Sequence, residues 1–161
     1  MNHQKISIEF DVYDSIEQLS AEDAALLREA QKATGISYAP YSHFRVGAAA
    51  LLVNDKTILG SNQENASYPV GICAERVLLS AASSVYPGVP VKTIAISYLN
   101  EQGKSDRPIS PCGICRQSMV EYETILKHPI RLVLGGMEGK IFVIPQAASL
   151  LPFGFSGEDM K

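Results

Sequence analysis

The sequence predicts an α/β domain of three layers, α/β/α, with a mixed central sheet of roughly five strands and an additional strand at the N-terminus. Three observations predict it. Apolar stretches of strand length alternate with amphipathic stretches of helix length through the middle of the chain. Turn and capping residues punctuate them at the right places. The length, 161 residues, suits one hydrophobic core. Residues 1–161 therefore read as a single domain, with 1–19 as an N-terminal extension and 150–161 as a C-terminal tail.

In order, residues 5–13 (KISIEFDVY) put Ile6, Ile8, Phe10 and Val12 on one face at period two, which predicts a strand. Ser20, with an acid three residues on, opens a helix that runs to about Thr34 and stops at Gly35. Leu27, Ala30 and Thr34 share its inner face. Phe44 to Val53 is an Ala- and Val-rich strand, and Asn54-Asp55-Lys56 turns it into a second, Thr57 to Asn62. A helix runs from Cys73 to about Ser84 and stops at Tyr86-Pro87-Gly88. Val91 to Leu99 is a strand, 100–110 a polar loop, and Cys112 to Glu123 a helix. Two strands, Ile130 to Leu134 and Lys140 to Ile144, flank a Gly-rich turn, and a helical turn at 145–151 precedes the tail. The alternation argues for a partly parallel sheet with helices on both faces.

Composition narrows the function. Apolar residues make up 46% and charged residues 19%, ordinary for a globular protein. No apolar run is long enough to span a bilayer, and the start of the chain lacks a signal-peptide core, so a cytoplasmic location and no membrane partner are expected. The net charge is −3, with the 14 Lys and Arg scattered. A nucleic-acid binder gains affinity by neutralising phosphates with clustered cations. Nucleic acid is therefore not expected as a partner, and a small uncharged ligand fits better.

The chain has three cysteines, Cys73, Cys112 and Cys115. An odd number in a reducing compartment argues against a disulfide framework. Each sits at or near a predicted helix start. Cys112 and Cys115 are three residues apart and share a helix face, and Cys73 opens another helix. Helix N-termini lower thiol pKa, which favours thiolates, the ligands zinc prefers. Three protein ligands leave a fourth position for water, as in catalytic rather than structural zinc sites. His3, His43 and His128 lack ligand-like spacing. Zinc brings the pKa of its water toward neutrality. Glu75, two residues beyond Cys73, need not bind the metal and can move protons, since enclosure raises a carboxyl pKa. Arg76 lies one helical turn from Cys73. It is expected to donate hydrogen bonds to the ligand sulfurs and offset their excess negative charge.

Taken singly, these residues have plainer readings. Cys73 would be a buried core residue, Glu75 a first-turn acid favoured by the helix dipole, and Arg76 a surface charge. Cys112-x-x-Cys115 could be a redox pair, but that leaves Cys73 unexplained. A structural zinc would need a fourth ligand. The spacing of Cys73-Ala74-Glu75-Arg76 against Pro111-Cys112-Gly113-Ile114-Cys115 favours the catalytic reading, and it matches a known signature of zinc deaminases.

On these blocks the sequence resembles the cytidine deaminases of the small homotetrameric type with three cysteine ligands. The resemblance also runs through Tyr38-Ala39-Pro40-Tyr41-Ser42-His43-Phe44, Asn62-Gln63-Glu64-Asn65-Ala66-Ser67-Tyr68-Pro69, Arg116-Gln117 and the tail around Leu150-Leu151-Pro152 and Phe155, covering about residues 20–160. It implies a three-layer fold and hydrolytic deamination of cytidine and deoxycytidine to uridine and deoxyuridine, with release of ammonia. It implies one zinc ion per subunit on Cys73, Cys112 and Cys115, activating the hydroxide that adds to C4, with Glu75 shuttling protons. It implies that the Ala74 N–H holds the base O2, the Ser110 carbonyl accepts from the 4-amino group, Phe44 stacks on the pyrimidine, and Asn62 and Glu64 bind the sugar. The Pro111 that follows biases Ser110 toward extended backbone, which suits its role. The resemblance further implies a homotetramer with shared active sites, in which Phe155 reaches a neighbour's pocket and Tyr68 lies at a subunit contact.

By pattern alone, Phe44 could be core, Asn62 a strand end and Glu64 a solvated acid. The chain departs from the family pattern at Ser61 and Gln63, in the polar 100–108 loop, at Arg45 and in the strand at 5–13. Other readings carry distinct signs. A blasticidin S deaminase shares the cysteine blocks but not the pairing of Asn62-x-Glu64 with the Phe155 tail. A zinc-stabilised binding module would not turn over. A polynucleotide cytosine deaminase has His as its first ligand and a basic channel.

Overall fold

The computed structural model describes residues 1–160. Nine regular elements follow one another. They are β1 (Asp11–Tyr13), α1 (Ala21–Ala33), β2 (Phe44–Leu52), β3 (Thr57–Ser61), α2 (Ala74–Val85), β4 (Val91–Asn100), α3 (Gly113–Leu126), β5 (Arg131–Leu134) and β6 (Ile141–Ile144). The strands form one sheet in the order β1-β6-β5-β4-β2-β3. Only β4 and β5 run parallel, and every other neighbouring pair is antiparallel. The sheet is mixed, as expected, with five strands plus the N-terminal one. Helix α3 is the single crossover that a parallel pair requires.

The sheet is covered on both faces. Alternation along β2 sends Ala49 to one side, where α1 packs with Leu27 and Ala30 against Ala95 and Val133. It sends Ala48 and Ala50 to the other, where Leu78, Leu79 and Met119 of α2 and α3 pack on Ile94 and Leu132. Two opposed layers of buried aliphatic side chains are the main stabilising term, at about 25 cal/mol per Å² of apolar surface removed from water. In α1, Ser20 caps the helix by accepting from the Asp23 N–H at 3.1 Å, and Leu27, Ala30 and Thr34 are all buried.

Several boundaries move. The strand expected over 5–13 is confined to Asp11–Tyr13, because its partner β6 has only four residues. The next in-register partner for Glu9 would be Pro145, which has no N–H to pair. Gly35 does not stop the first helix abruptly. A 3₁₀ turn, Thr34–Ile36, follows it, with the Thr34 hydroxyl donating to the Gln31 carbonyl. Helix α3 runs past Glu123 to Leu126 and is closed by Lys127 in the left-handed region, φ 50°. The helical turn near the tail is a 3₁₀ turn over Ala147–Leu150.

The connectivity positions the site. Phe44, at the start of β2, lies opposite Asn100 at the end of β4, and Gly47 lies opposite Ser61 at the end of β3. β3 and β4 therefore end on one edge of the sheet. The segments leading from them to α2 and α3 leave from that edge, so the two helix N-termini meet there.

Candidate active site

Gly60 explains how α2 comes so close to the sheet. A Cβ on Gly60 would lie 2.4 Å from the Ala74 carbonyl oxygen and 2.7 Å from the Leu78 nitrogen, so the helix backbone occupies the space of a side chain. The segment before it is fixed by a pair of backbone hydrogen bonds between Gln63 and Ile72, 2.9 and 3.0 Å. Cys73 is then the N-cap residue of α2, and Cys112 is the N-cap of α3. N-cap side chains usually accept a hydrogen bond from the first helical turn. Neither cysteine does so, and both sulfurs point instead toward one another.

The Cys73 and Cys112 sulfurs are 3.7 Å apart, and those of Cys112 and Cys115 are 3.4 Å apart. All three lie within 4.8 Å of one another. A disulfide needs about 2.05 Å, so these are free thiols. Zinc–sulfur bonds of about 2.3 Å in a tetrahedron put sulfurs about 3.8 Å apart. The three sulfurs thus span three corners of a zinc tetrahedron, and the donor set is the thiolate type zinc favours.

The electrostatics fit the same ion. The Cys73 thiol is lowered to about 6 by hydrogen bonding from Cys115, against burial and with help from Cys112 and the Arg76 charge. The Cys115 thiol is pushed far up by its bond to Cys73, by burial and by Glu75. The thiols oppose one another's ionisation, since Cys73 is drawn down while Cys115 is pushed up. A divalent ion removes that conflict. Glu75, one residue into α2 and only 4% exposed, has its carboxyl raised, first by burial and further by Cys73. Its own backbone N–H and the Cys115 thiol act in the opposite direction without reversing the shift. Arg76 is half-buried and acts on Cys73 through charge. Among the described residues it makes no hydrogen bond to a sulfur.

Beside the sulfurs lies a cavity of about 450 Å³, whose lining includes Cys73, Asn62, Glu64, Tyr68 and Tyr41. Tyr68 meets Tyr41 edge to face, with ring centroids 5.8 Å apart. The Asn62 amide oxygen accepts from the Val46 N–H at 2.7 Å and the Ser37 hydroxyl at 2.5 Å, and its nitrogen donates to the Phe44 carbonyl at 3.0 Å. The asparagine is therefore immobilised, and one amide N–H remains for a ligand. One carboxylate oxygen of Glu64 accepts from the N–H groups of Tyr41 and Ser42. Burial pulls this carboxyl up, but those bonds and the Ser42 hydroxyl outweigh it and hold it below its usual range.

The other expected residues, Phe44, Ala74, Ser110 and Phe155, lie outside the lining of this cavity. Phe44 lies on the sheet face that carries α2 and α3, stacked on Tyr98 with centroids 4.9 Å apart and planes at 16°, and it does not line the cavity. Ala74 is fully buried at the start of α2, and Ser110 is exposed just ahead of Pro111 and Cys112. Phe155 is 58% exposed, and its carbonyl accepts from the Gln117 amide at 2.7 Å, which holds the tail on α3 of its own chain. Sequence reasoning assigned no role to Arg116, whose guanidinium donates to the Pro111 carbonyl at 2.8 Å and the Leu150 carbonyl at 3.0 Å. It clamps the loop carrying Cys112 to the start of the tail. Its one visible signal was a cation following the cysteine pair.

A three-layer α/β domain with three sulfurs at converging helix ends and a buried carboxylate beside them defines a metal-dependent enzyme of the hydrolytic kind. The comparisons agree with that class. The family model described as the cytidine and deoxycytidylate deaminase zinc-binding region matches residues 20–128. The cytidine deaminase of Halalkalibacterium halodurans is 39% identical over 136 residues, 84% of this chain and 96% of that protein. The cytidine deaminase of Mycobacterium tuberculosis is 36% identical over 105 residues, 63% of this chain and 74% of that one. A crystal structure of cytidine deaminase from Burkholderia pseudomallei superposes with a TM-score of 0.72 at 37% identity, covering 85% of this chain and all of that one. The chain belongs to the cytidine and deoxycytidylate deaminase family.

Proposed function

We propose that this protein hydrolyses the 4-amino group of cytidine and deoxycytidine, giving uridine and deoxyuridine with release of ammonia. The observation that carries this reading is the cluster of Cys73, Cys112 and Cys115 with buried Glu75, opening on a cavity of about 450 Å³ that holds Asn62 and Glu64. The three cysteines would hold one zinc ion, which when bound supplies Lewis acidity and brings the pKa of water toward neutrality.

The chain's own residues do the remaining work. Glu75, its carboxyl raised by burial, takes a proton from the attacking water and passes it to ring N3. It carries a second proton to the departing amine, so one water enters and one ammonia leaves. The Ala74 N–H holds the base O2. The Ser110 carbonyl accepts from the 4-amino group and thereby favours the amino substrate. Phe44 leaves its stack on Tyr98 to pack on the pyrimidine. The free N–H of Asn62 and the pinned carboxylate of Glu64 bind the sugar hydroxyls. Because Glu64 stays ionised, a 5′-phosphate is repelled, and the substrate is the nucleoside rather than the nucleotide. Arg76 offsets the excess negative charge of the sulfurs.

The exposed rings of Tyr68 and Phe155, 74% and 58% accessible, suit contacts with neighbouring subunits in a homotetramer with shared sites. A cytoplasmic location belongs to this reading, and among the described residues no helix is long and apolar enough to cross a membrane. The test is direct. Purified protein mixed with cytidine should shift the ultraviolet spectrum from cytosine to uracil and contain one zinc per chain. No spectral change with zinc bound would refute the proposal.

A further inference from the structure

Residues 1–19 precede the family match, which begins at residue 20, and they hold one of the two edge strands of the sheet. β1 pairs with β6 through one backbone edge, at Asp11↔Val143, Val12↔Phe142 and Tyr13↔Ile141, and its other edge is open. Toward the N-terminus the ladder runs out at Pro145. The strand-like alternation nonetheless continues back to Lys5. Ile6, Ile8 and Phe10, alternate residues in that pattern, are 56%, 40% and 47% exposed. Phe10 meets Phe142 with ring centroids 5.0 Å apart, on the sheet face that carries α2 and α3. The open edge of β1, preceded by an exposed apolar stretch of strand-like sequence, offers a place for another strand.

We propose that residues 3–11 form a contact for a second copy of this chain, pairing antiparallel with their own counterpart about a two-fold axis at Ser7. The charges specify that occupant. In this register Lys5 faces Glu9 of the partner subunit and His3 faces Asp11 of the partner subunit, while Ile6 and Ile8 face each other. Both copies make the same contacts, as a two-fold interface requires. Parallel pairing in register would set Lys5 beside Lys5 and Glu9 beside Glu9, and like charges directly opposite are destabilising. A two-stranded ribbon alone would be marginal in water. In each copy the segment leads at Asp11 into β1 of a six-stranded sheet, so the pairing would join two sheets. The contact is independent of the proposed activity, since neither Lys5 nor Glu9 lines the cavity.

Light scattering on the full chain, on a chain lacking residues 1–10, and on Lys5→Glu, Glu9→Lys and the double exchange tests this. The deletion should halve the mass of the assembly. At the concentration where the full chain is half associated, each single variant should lower the mass toward that of the deleted chain, and the double exchange should restore it. A mass unchanged by the deletion, or a double exchange that recovers nothing, overturns the proposal. A failed cytidine assay beside a halved mass would instead count against the activity alone.

Discussion

Glu75 draws its usefulness from its place rather than its type. Burial and the adjacent Cys73 raise its carboxyl, and it is not among the three residues grouped as metal ligands. Glu75→Gln should therefore retain zinc on metal analysis and lose about 10²- to 10⁴-fold in kcat for cytidine. Loss of zinc together with activity would show that Glu75 is structural. Glu64 behaves oppositely, with its carboxyl held low by Tyr41 and Ser42, so it is charged at neutral pH. CMP should be turned over with kcat/KM about tenfold or more below that of cytidine, and comparable values would refute the role given to Glu64. At this scale the sequence was legible wherever chemistry follows helical spacing. Cys73, Glu75, Cys112 and Cys115 lie near two helix starts, and their convergence could be argued from the chain alone. Contacts between distant segments could not be. Ser37 fixes Asn62 across 25 residues and Arg116 reaches Leu150 across 34, and no local pattern announces either.

The elements place these side chains, and Gly60 decides how closely. Adding a methyl there meets helix backbone, which cannot rotate away. Gly60→Ala should push the first turn of α2 off the sheet, cost about 1–3 kcal/mol, and weaken zinc binding, because Cys73 moves relative to Cys112. Gly35→Ala is the control, since nothing lies within 4 Å of its added Cβ, and it should leave both melting temperature and zinc affinity nearly unchanged. Equal effects of the two changes would deny Gly60 its positioning role. The main helices and strands were readable because their periodicity extends over nine or more residues in β2, α1, α2, α3 and β4. The N-terminal strand was over-read because alternation reports which face a residue takes, not whether a partner strand is present. Residues 5–9 keep the pattern, while β6 and Pro145 set where pairing ends. The end of α3 was under-read because Lys127, rather than a glycine, adopts the left-handed closing conformation.

Across the whole molecule, two connections hold distant parts of the chain to the site. Arg116 and Gln117 secure the tail at Leu150 and Phe155. Truncation after Leu151 keeps the first contact and removes the ring proposed to enter a neighbour's pocket. It should raise KM for cytidine strongly with zinc retained, and normal turnover would exclude shared sites. The second connection ties α1 to the sheet. Arg131, at the start of β5, grips both carboxylate oxygens of Asp23. Burial alone would raise the Asp23 carboxyl, but the bonds from Arg131 and Ser20 outweigh it and hold the group below its ordinary range. A carboxyl depressed in the folded state adds stability above its unfolded pKa, and that stability is lost as pH falls through the folded value. The Asp23 side chain is 6% exposed and Arg131 35%, so partial screening limits the contribution to about 1–2 kcal/mol. Asp23→Asn should therefore destabilise the protein by that amount at pH 7, in urea unfolding. The gap between wild type and variant should narrow as pH drops below about 4. A gap that stayed constant through that range would mean that packing of α1, rather than the ion pair, accounts for the loss.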